Sequence, residues 1–428
     1  MKAESILGTP TSRIGSILSA FRFHHSSFPV VPLAVPYWNG ATYRSIANCF
    51  VTGNLVDGPE LGNLKSSVIE ALGVADVFLC GSGTLALEVA LRACGVGRGD
   101  EVVVPTFCCI AVVAPILATR AVPVLADVAP ELNITAADVE PVLSKRTKAI
   151  IVPHLFGNPT EIGSIIDLVK GRDIHVVDDA AQALGANIDG RPVGSFGDAG
   201  ILSFGKGKVC FGLGGGAVVV KNHDLAARIA GAGLPAPSGA TALRNYLSTL
   251  VWCRWRRCSL PLEGAFSRSP RAGPDTPPTR YRQEMMANLD AAVALSLMQT
   301  LRENIAARRA RVGAYQELLG GDERLQLIAH RSGSACLTQV VRVLPRRGED
   351  VATRVVAALW RAGYEVQGSY VPIHLLRGYE QCVWDRLSNA EKIWPDLIEL
   401  PCEPTVGLDR VQRIAEIIKN ALGDLTIT

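Results

Sequence analysis

The sequence predicts an α/β fold built on a largely parallel sheet, followed by a smaller α/β domain. Two observations carry this. Between about residue 75 and residue 220, seven short apolar runs alternate with helical patterns, and several runs end in polar or glycine-rich sequence. The composition, 48% hydrophobic and 19% charged over 428 residues, is that of a well-filled core in two or three domains.

The runs are VADVFLC ending at Cys80, EVVVP (101–105), VPVLADV (122–128), KAIIVPHLF (148–156), IHVVDDA (174–180), AGILSFG (199–205) and GAVVV (216–220). Near-continuous Val/Ile runs mark strands buried on both faces, and the helical patterns between them make the sheet largely parallel. Functional loops of such sheets sit at the carboxyl ends of the strands. After Val220 the pattern changes: residues 231–283 are rich in Pro, Gly, Ser and Arg, with eight Arg and two carboxylates between 235 and 283. A helical pattern resumes from Met285 to Leu319. ACLTQVVRVL then reads as a strand, EDVATRVVAALWRAG as a helix, and a last helix follows Asp409. The expected partition is an N-terminal extension (1–32), a large domain (33–230), a peripheral insertion (231–283), and a connecting helix with a small C-terminal domain (284–428).

Forty-three Lys and Arg against 40 Asp and Glu leave +3, too balanced for a protein whose partner is a nucleic-acid backbone. Eleven cysteines without a CxxC pair or a Cys/His cluster fit reduced thiols in a cytoplasmic enzyme; neither a disulfide framework nor a metal site is expected. Glu4 and the lack of a sustained apolar stretch near it argue against a secretory signal. Val102–Thr119 is uncharged and long enough to cross a bilayer, but Pro105, Pro115 and the opening valines fit a buried strand, a turn and a short helix.

Three stretches carry chemistry. Ser82-Gly83-Thr84 opens a helical pattern; glycine allows close approach, Thr adds a hydroxyl and the helix N-terminus presents free N–H groups, so it reads as a phosphate cradle or as an ordinary cap. Asp178-Asp179-Ala-Ala-Gln182 closes the apolar IHVV run. A carboxylate there can keep a pyridine nitrogen protonated, with Gln182 one turn on near a ring oxygen; a capped helix start is the plainer reading. Ser203-Phe204-Gly205-Lys206-Gly207-Lys208 puts two lysines in a glycine loop at a strand end, which suits phosphate binding, a reactive amine or a solvated loop. Gly200 to Lys206 nearly spells a nucleotide-binding P-loop, but position 207 is Gly rather than Ser or Thr and ILSF reads as strand, so an NTPase is disfavoured.

Taken in series, these stretches resemble the DegT/DnrJ/StrS family of nucleotide-sugar aminotransferases. The resemblance runs from about Pro36 to Leu422 through TGNLVDGPE (52–60), SGTLALEVAL (82–91), GRGDEVVVPTF (97–107), VPHLFGNP (152–159), DDAAQALGA (178–186), VGSFGDAGILSFGKGK (193–208) and GLGGGAVVV (212–220). It resumes at AAVALSLMQTL (291–301), GSYVPIHL (368–375) and ELPCEP (399–404). It implies a three-layer α/β/α fold of type I with a mostly parallel seven-stranded sheet, pyridoxal 5′-phosphate as cofactor, and a homodimer. The implied substrates are a keto sugar nucleotide and an amino donor, glutamate by resemblance. Lys208 matches the lysine that holds the cofactor, Asp179 the partner of the ring nitrogen, and Gln182 the residue near the ring's phenolic oxygen. Gly83, Thr84 and Ser203 match phosphate contacts; His374 resembles a residue of the active-site region.

Three positions depart from the family pattern. Cys109 stands where an aromatic stacks on the ring, Gly214 stands where an acid precedes the paired glycines, and no N-x-R precedes Ala291. Relatives that dehydrate deoxysugars carry His where Lys208 stands, which favours transamination here; a non-catalytic binding relative is the remaining alternative. In the insertion, LRNYLSTLVWCRWRRC (243–258) sets Trp and Leu beside Arg254, Arg256 and Arg257, as in peripheral membrane contacts, lids or dimer contacts.

Overall fold

Nine strands and their connections build the first half of the chain: β1 (Asp76–Cys80), β2 (Glu101–Pro105), β3 (Val122–Ala126), β4 (Thr147–Pro153), β5 (His175–Asp179), the hairpin β6 (Asn187–Ile188) and β7 (Arg191–Pro192), β8 (Ala199–Ser203) and β9 (Gly216–Val220). The computed structural model describes residues 30–258, 280–344 and 350–423. All seven apolar runs are strands of one seven-stranded sheet, ordered β1-β9-β8-β5-β4-β2-β3. Neighbours are parallel except at β9, which is antiparallel to both β1 and β8. Every residue of β2, β8 and β9 is buried, as expected of strands covered on both faces.

The covering helices read as their burial requires. Gly83–Ala93 is buried along nearly its whole length against the sheet. Asn288–Gln299 is apolar on almost all sides and buried on almost all sides. Val102–Thr119 resolves into β2, a 3-10 turn (Ile110–Val112) and the short helix Val113–Ala118. Among the described residues no helix is long and apolar enough to cross a membrane. ILSF lies in and just after β8, so a strand occupies the place a P-loop would need.

A second sheet, β10 (Leu325–Leu327), β11 (Thr338–Val343), β12 (Gln367–Gly368) and β13 (Leu397–Pro401), is antiparallel with order β10-β11-β13-β12. The amphipathic helices Val351–Arg361 and Leu408–Gly423 pack their apolar stripes on it. The long helix Leu301–Leu319 joins the two sheets, and its fully buried Arg308 sits at the junction. Arg308 donates to Glu403 Oε2 at 2.5 Å, to the Leu337 carbonyl at 2.9 Å and to Asn304 Oδ1 at 2.7 Å. Asn304 Nδ2 in turn donates to the Val209 carbonyl at 3.2 Å, beside Lys208.

The described part of the insertion is mostly exposed and packs one stripe of a helix inward. Gly239–Cys258 is a 20-residue helix with Ala242 and Thr249 fully buried. A composition rich in Arg, Pro and Gly hides the small and polar stripe Ala242, Asn245, Thr249 that lets this helix pack. Residues 1–29 of the expected extension and 259–279 of the insertion lie outside the described residues, as do the side chains of Arg256 and Arg257.

Candidate active site

The carboxyl ends of β1, β8, β5, β4 and β2 share one edge of the sheet, and a cavity of about 780 Å³ opens there. Gly83, Thr84, Cys109, Asp179, Gln182, Ser203 and Lys208 all line it. Gly83 and Thr84 come from the start of the helix after β1, and Cys109 from the turn after β2. Asp179 and Gln182 follow β5; Ser203 ends β8, and Lys208 lies in the loop between β8 and β9.

The helix end at Gly83 and Thr84 is built by close packing. Ser82 caps its helix, its Oγ accepting the Leu85 N–H at 3.1 Å, which leaves the first-turn amides of Gly83 and Thr84 without an intrahelical acceptor. Gly83 packs against both neighbouring strands: a Cβ there would lie 2.9 Å from Ser203 Cβ, and one on Gly216 would lie 2.5 Å from Gly83 N. Only glycine lets these backbones meet and brings the Ser203 hydroxyl beside the helix end.

The two adjacent carboxylates divide their work. Asp178 is fully buried. Its Oδ2 accepts the N–H groups of Gly194 and Phe196, both at 2.8 Å, and His154 Nε2 donates to its Oδ1 at 2.6 Å. The tautomer follows from His154 Nδ1, which accepts the Thr160 N–H at 2.8 Å. Asp178 is therefore structural. Asp179, pointing the other way from the strand, faces the cavity with Oδ1 accepting the Ala181 N–H at 3.0 Å. Burial pushes its carboxyl above the usual range, against the opposing pull of the Ala181 amide and of Lys208.

Gln182 is held at both ends of its amide. Oε1 accepts the Phe156 N–H at 3.0 Å and Nε2 donates to the Tyr370 hydroxyl at 3.1 Å, leaving Nε2 a second N–H. Tyr370 stacks on Phe156 with ring centroids 5.8 Å apart, and Phe107 meets the Tyr370 ring edge-on at 5.9 Å. This aromatic cluster lies beside the turn that carries Cys109, whose side chain lines the cavity. Tyr370 belongs to the GSYVPIHL stretch, but nothing in its spacing pointed to Gln182.

The lysine loop is pinned on several sides. Trp38 Nε1 donates to the Phe211 carbonyl at 3.0 Å, the Gly212 N–H to the Phe204 carbonyl at 3.0 Å, and Asn304 to Val209. Lys208 and Lys206 both line the cavity, and Lys206 Nζ stands 5.9 Å from the Trp252 ring centre. The sequence did not point to Asn245, Ser248, Arg280 or Arg282, which complete the opposite wall. His374 lies apart from this lining: Nδ1 shares a 2.7 Å hydrogen bond with Thr106 Oγ1 and Nε2 meets Glu391 at 2.9 Å. It fastens the small domain to the turn after β2.

Comparison with known proteins agrees with this arrangement. The profile of the DegT/DnrJ/EryC1/StrS aminotransferase family matches residues 41–419. The chain is 43% identical over 379 residues to the UDP-N-acetyl-3-dehydro-alpha-D-glucosamine 3-aminotransferase of Acidithiobacillus ferrooxidans, covering 86% of this chain and 92% of that one. It is 36% identical over 386 residues to the dTDP-3-amino-3,4,6-trideoxy-alpha-D-glucose transaminase of Streptomyces venezuelae, covering 88% and 91%. Among solved structures, the aminotransferase TlmJ from Streptoalloteichus hindustanus superposes with a TM-score of 0.75 at 25% identity, over 93% of this chain and 100% of that one.

Pyridoxal 5′-phosphate is the cofactor of these aminotransferases, and the cavity fits it. A buried carboxyl pushed upward faces the space where a protonated ring nitrogen would relieve it. Helix amides and a serine hydroxyl form a cradle that any Cβ would fill, and a primary amine stands on a pinned loop. From the profile match over most of its length and from relatives of this identity, the chain belongs to the DegT/DnrJ/EryC1/StrS aminotransferase family.

Proposed function

We propose that this protein transfers an amino group from glutamate to the C3 ketone of a nucleotide-linked sugar, with UDP as the favoured nucleotide. The observation that carries the proposal is the convergence of Lys208, Asp179 and the Gly83–Thr84 helix end on one cavity. The sugar position is supported by the two relatives above, whose names both place the amino group at C3.

Pyridoxal 5′-phosphate, when bound, supplies an electrophilic carbonyl and an electron sink. The amides of Gly83 and Thr84 and the Ser203 hydroxyl hold its phosphate. Asp179 would face the ring nitrogen and keep it protonated, a cation that would favour the charged carboxylate against the burial that raises it. Gln182 turns an N–H toward the ring oxygen while its other bonds fix Phe156 and Tyr370. Cys109, which lines the cavity from the turn after β2, would lie against a face of the ring. Lys208 Nζ is the anchor in the resting enzyme and the base that takes and returns the proton at the reacting carbon.

The dehydratase alternative loses support because Lys208, an amine, occupies the position that a histidine fills in that reaction. The protein acts as a cytoplasmic homodimer. An exposed apolar stripe on the insertion helix (Leu243, Leu247, Val251) adjoins exposed Tyr43, Phe50 and Val51 of the helix Gly40–Thr52, with Phe50 and Tyr246 in ring contact at 5.5 Å. A patch of this kind suits a second copy of the chain better than membrane lipid, because the helix that carries it also supplies Asn245 and Ser248 to the cavity wall. The test of function is product analysis: purified protein with 15N-glutamate and a UDP-linked 3-keto sugar should yield a 15N-labelled 3-amino sugar. Transfer to a 4-keto substrate alone would refute the C3 assignment.

A further inference from the structure

We infer, on the aminotransferase reading above, that Arg282 holds an oxyanion of a reactant and that Gly214 is the residue that seats it. Gly214 stands where the family pattern has an acid. A Cβ built on it would lie 2.2 Å from Arg282 Nη2 and 3.2 Å from Cζ, so the guanidinium packs over the bare Cα. With φ at 151°, the backbone at Gly214 also disfavours any side chain. The missing acid and the arginine occupy the same space.

Arg282 is oriented from behind. Its Nη1 donates to Asp290 Oδ2 at 3.0 Å, and Asn245 Nδ2 donates to the same oxygen at 3.3 Å. Asp290 has no exposed surface and sits on the helix Asn288–Gln299, so it fixes the guanidinium rather than competing for solvent. One edge of the five-donor fork is thereby used, and the Nη2 edge lies over Gly214 on the cavity wall.

The remaining wall has the same character. Lys206, Arg280, Asn245 and Ser248 line it beside Arg282, while Asp179 and Lys208 at the floor are taken up by the cofactor. Cofactor phosphate is met by neutral donors at the helix end. Arg282 spends its Nη1 edge on Asp290, and its Nη2 edge stays on the cavity wall; a planar guanidinium pairs best with carboxylate or phosphate oxygens. Two reactants bring such oxygens: the diphosphate of the sugar nucleotide and the carboxylates of the amino donor. An acid at position 214 would set a second carboxylate beside Arg282, on its Nη2 edge, and repel both.

The test uses cofactor-loaded enzyme and the variants Arg282→Gln and Gly214→Ala. The first removes the charge; the second keeps it and displaces the guanidinium by one methyl group. One arm measures UDP binding by calorimetry, the other the glutamate concentration that half-saturates conversion of the cofactor's absorbance band. Both variants should weaken the same arm by about 10- to 100-fold, the range for charge-assisted hydrogen bonds, with borohydride labelling of Lys208 unchanged. Weakening of the UDP arm identifies the diphosphate, and weakening of the glutamate arm identifies the donor carboxylate. Both arms within about twofold of wild type in both variants would overturn the inference and leave Arg282 a wall residue. Failure of wild type to label at Lys208 would instead overturn the aminotransferase reading on which it rests.

Discussion

Cys109 lines the cavity at the position where the family pattern places an aromatic. A thiol covers less of a ring face than Phe or Trp, so cofactor affinity should rise when the stack is restored. Cys109→Phe or Cys109→Trp should tighten pyridoxal phosphate binding by about 0.5–1.5 kcal/mol in equilibrium dialysis, the increment of a stacked aromatic pair. Unchanged or weaker affinity in both variants would remove Cys109 from the ring face. Lys206 and Lys208 give a second contrast. Lys206→Ala should leave amino transfer reduced but measurable, because that side chain lies under Trp252; Lys208→Ala should abolish transfer while cofactor still binds through Thr84, Ser203 and Asp179. The residues found by sequence were those whose chemistry is tied to a strand end: Asp179 after a run of valines, Lys208 after Ser203. Arg282, Asn245 and Ser248 were not legible, because Asn245 and Ser248 reach the cavity on the helix Gly239–Cys258 and Arg282 from the irregular stretch before Asn288, with no strand to mark either.

At the scale of elements, every strand of the large sheet was legible, since a strand buried on both faces must be written as a continuous apolar run. The reversal of β9 was not, because the loop that turns the chain is read only as glycine-rich. The insertion helix Gly239–Cys258 was hidden by its arginines, although its exposed stripe Leu243, Leu247, Val251 recurs every fourth residue. If the proposed dimer forms through this stripe, Leu247→Asp with Val251→Asp should convert it to monomer in sedimentation velocity; a dimer of undiminished stability would place the contact elsewhere. In the small sheet, burial pushes the Glu399 carboxyl from 4.5 up to about 7, against hydrogen bonds from Ser369 and Gln367. Because the folded state holds this proton more tightly than the unfolded chain, the stabilisation is full below about pH 4.5 and is lost as pH rises through about 7. Melting temperature followed over that range should fall more steeply in the wild type than in Glu399→Gln; parallel curves would refute the assignment.

Over the whole molecule, two sheets must keep a fixed relation for the lysine loop to meet the strand ends. Arg308 spans the joint, tying Glu403 and the Leu337 carbonyl to Asn304 and through it to Val209. Removing one member of a buried pair strands a charge, so Glu403→Leu should cost about 3–5 kcal/mol in urea unfolding, part of it recovered by adding Arg308→Met. An effect below about 1 kcal/mol would mean the joint is held by packing alone. The central claim is that Lys208, and no other amine, meets the cofactor at the carboxyl edge of this sheet. Borohydride reduction of the purified coloured protein, followed by peptide mapping, tests it directly. A single pyridoxyl label on Lys208, absent in Lys208→Ala, is the predicted result; a label on Lys206, or on neither lysine, would contradict it.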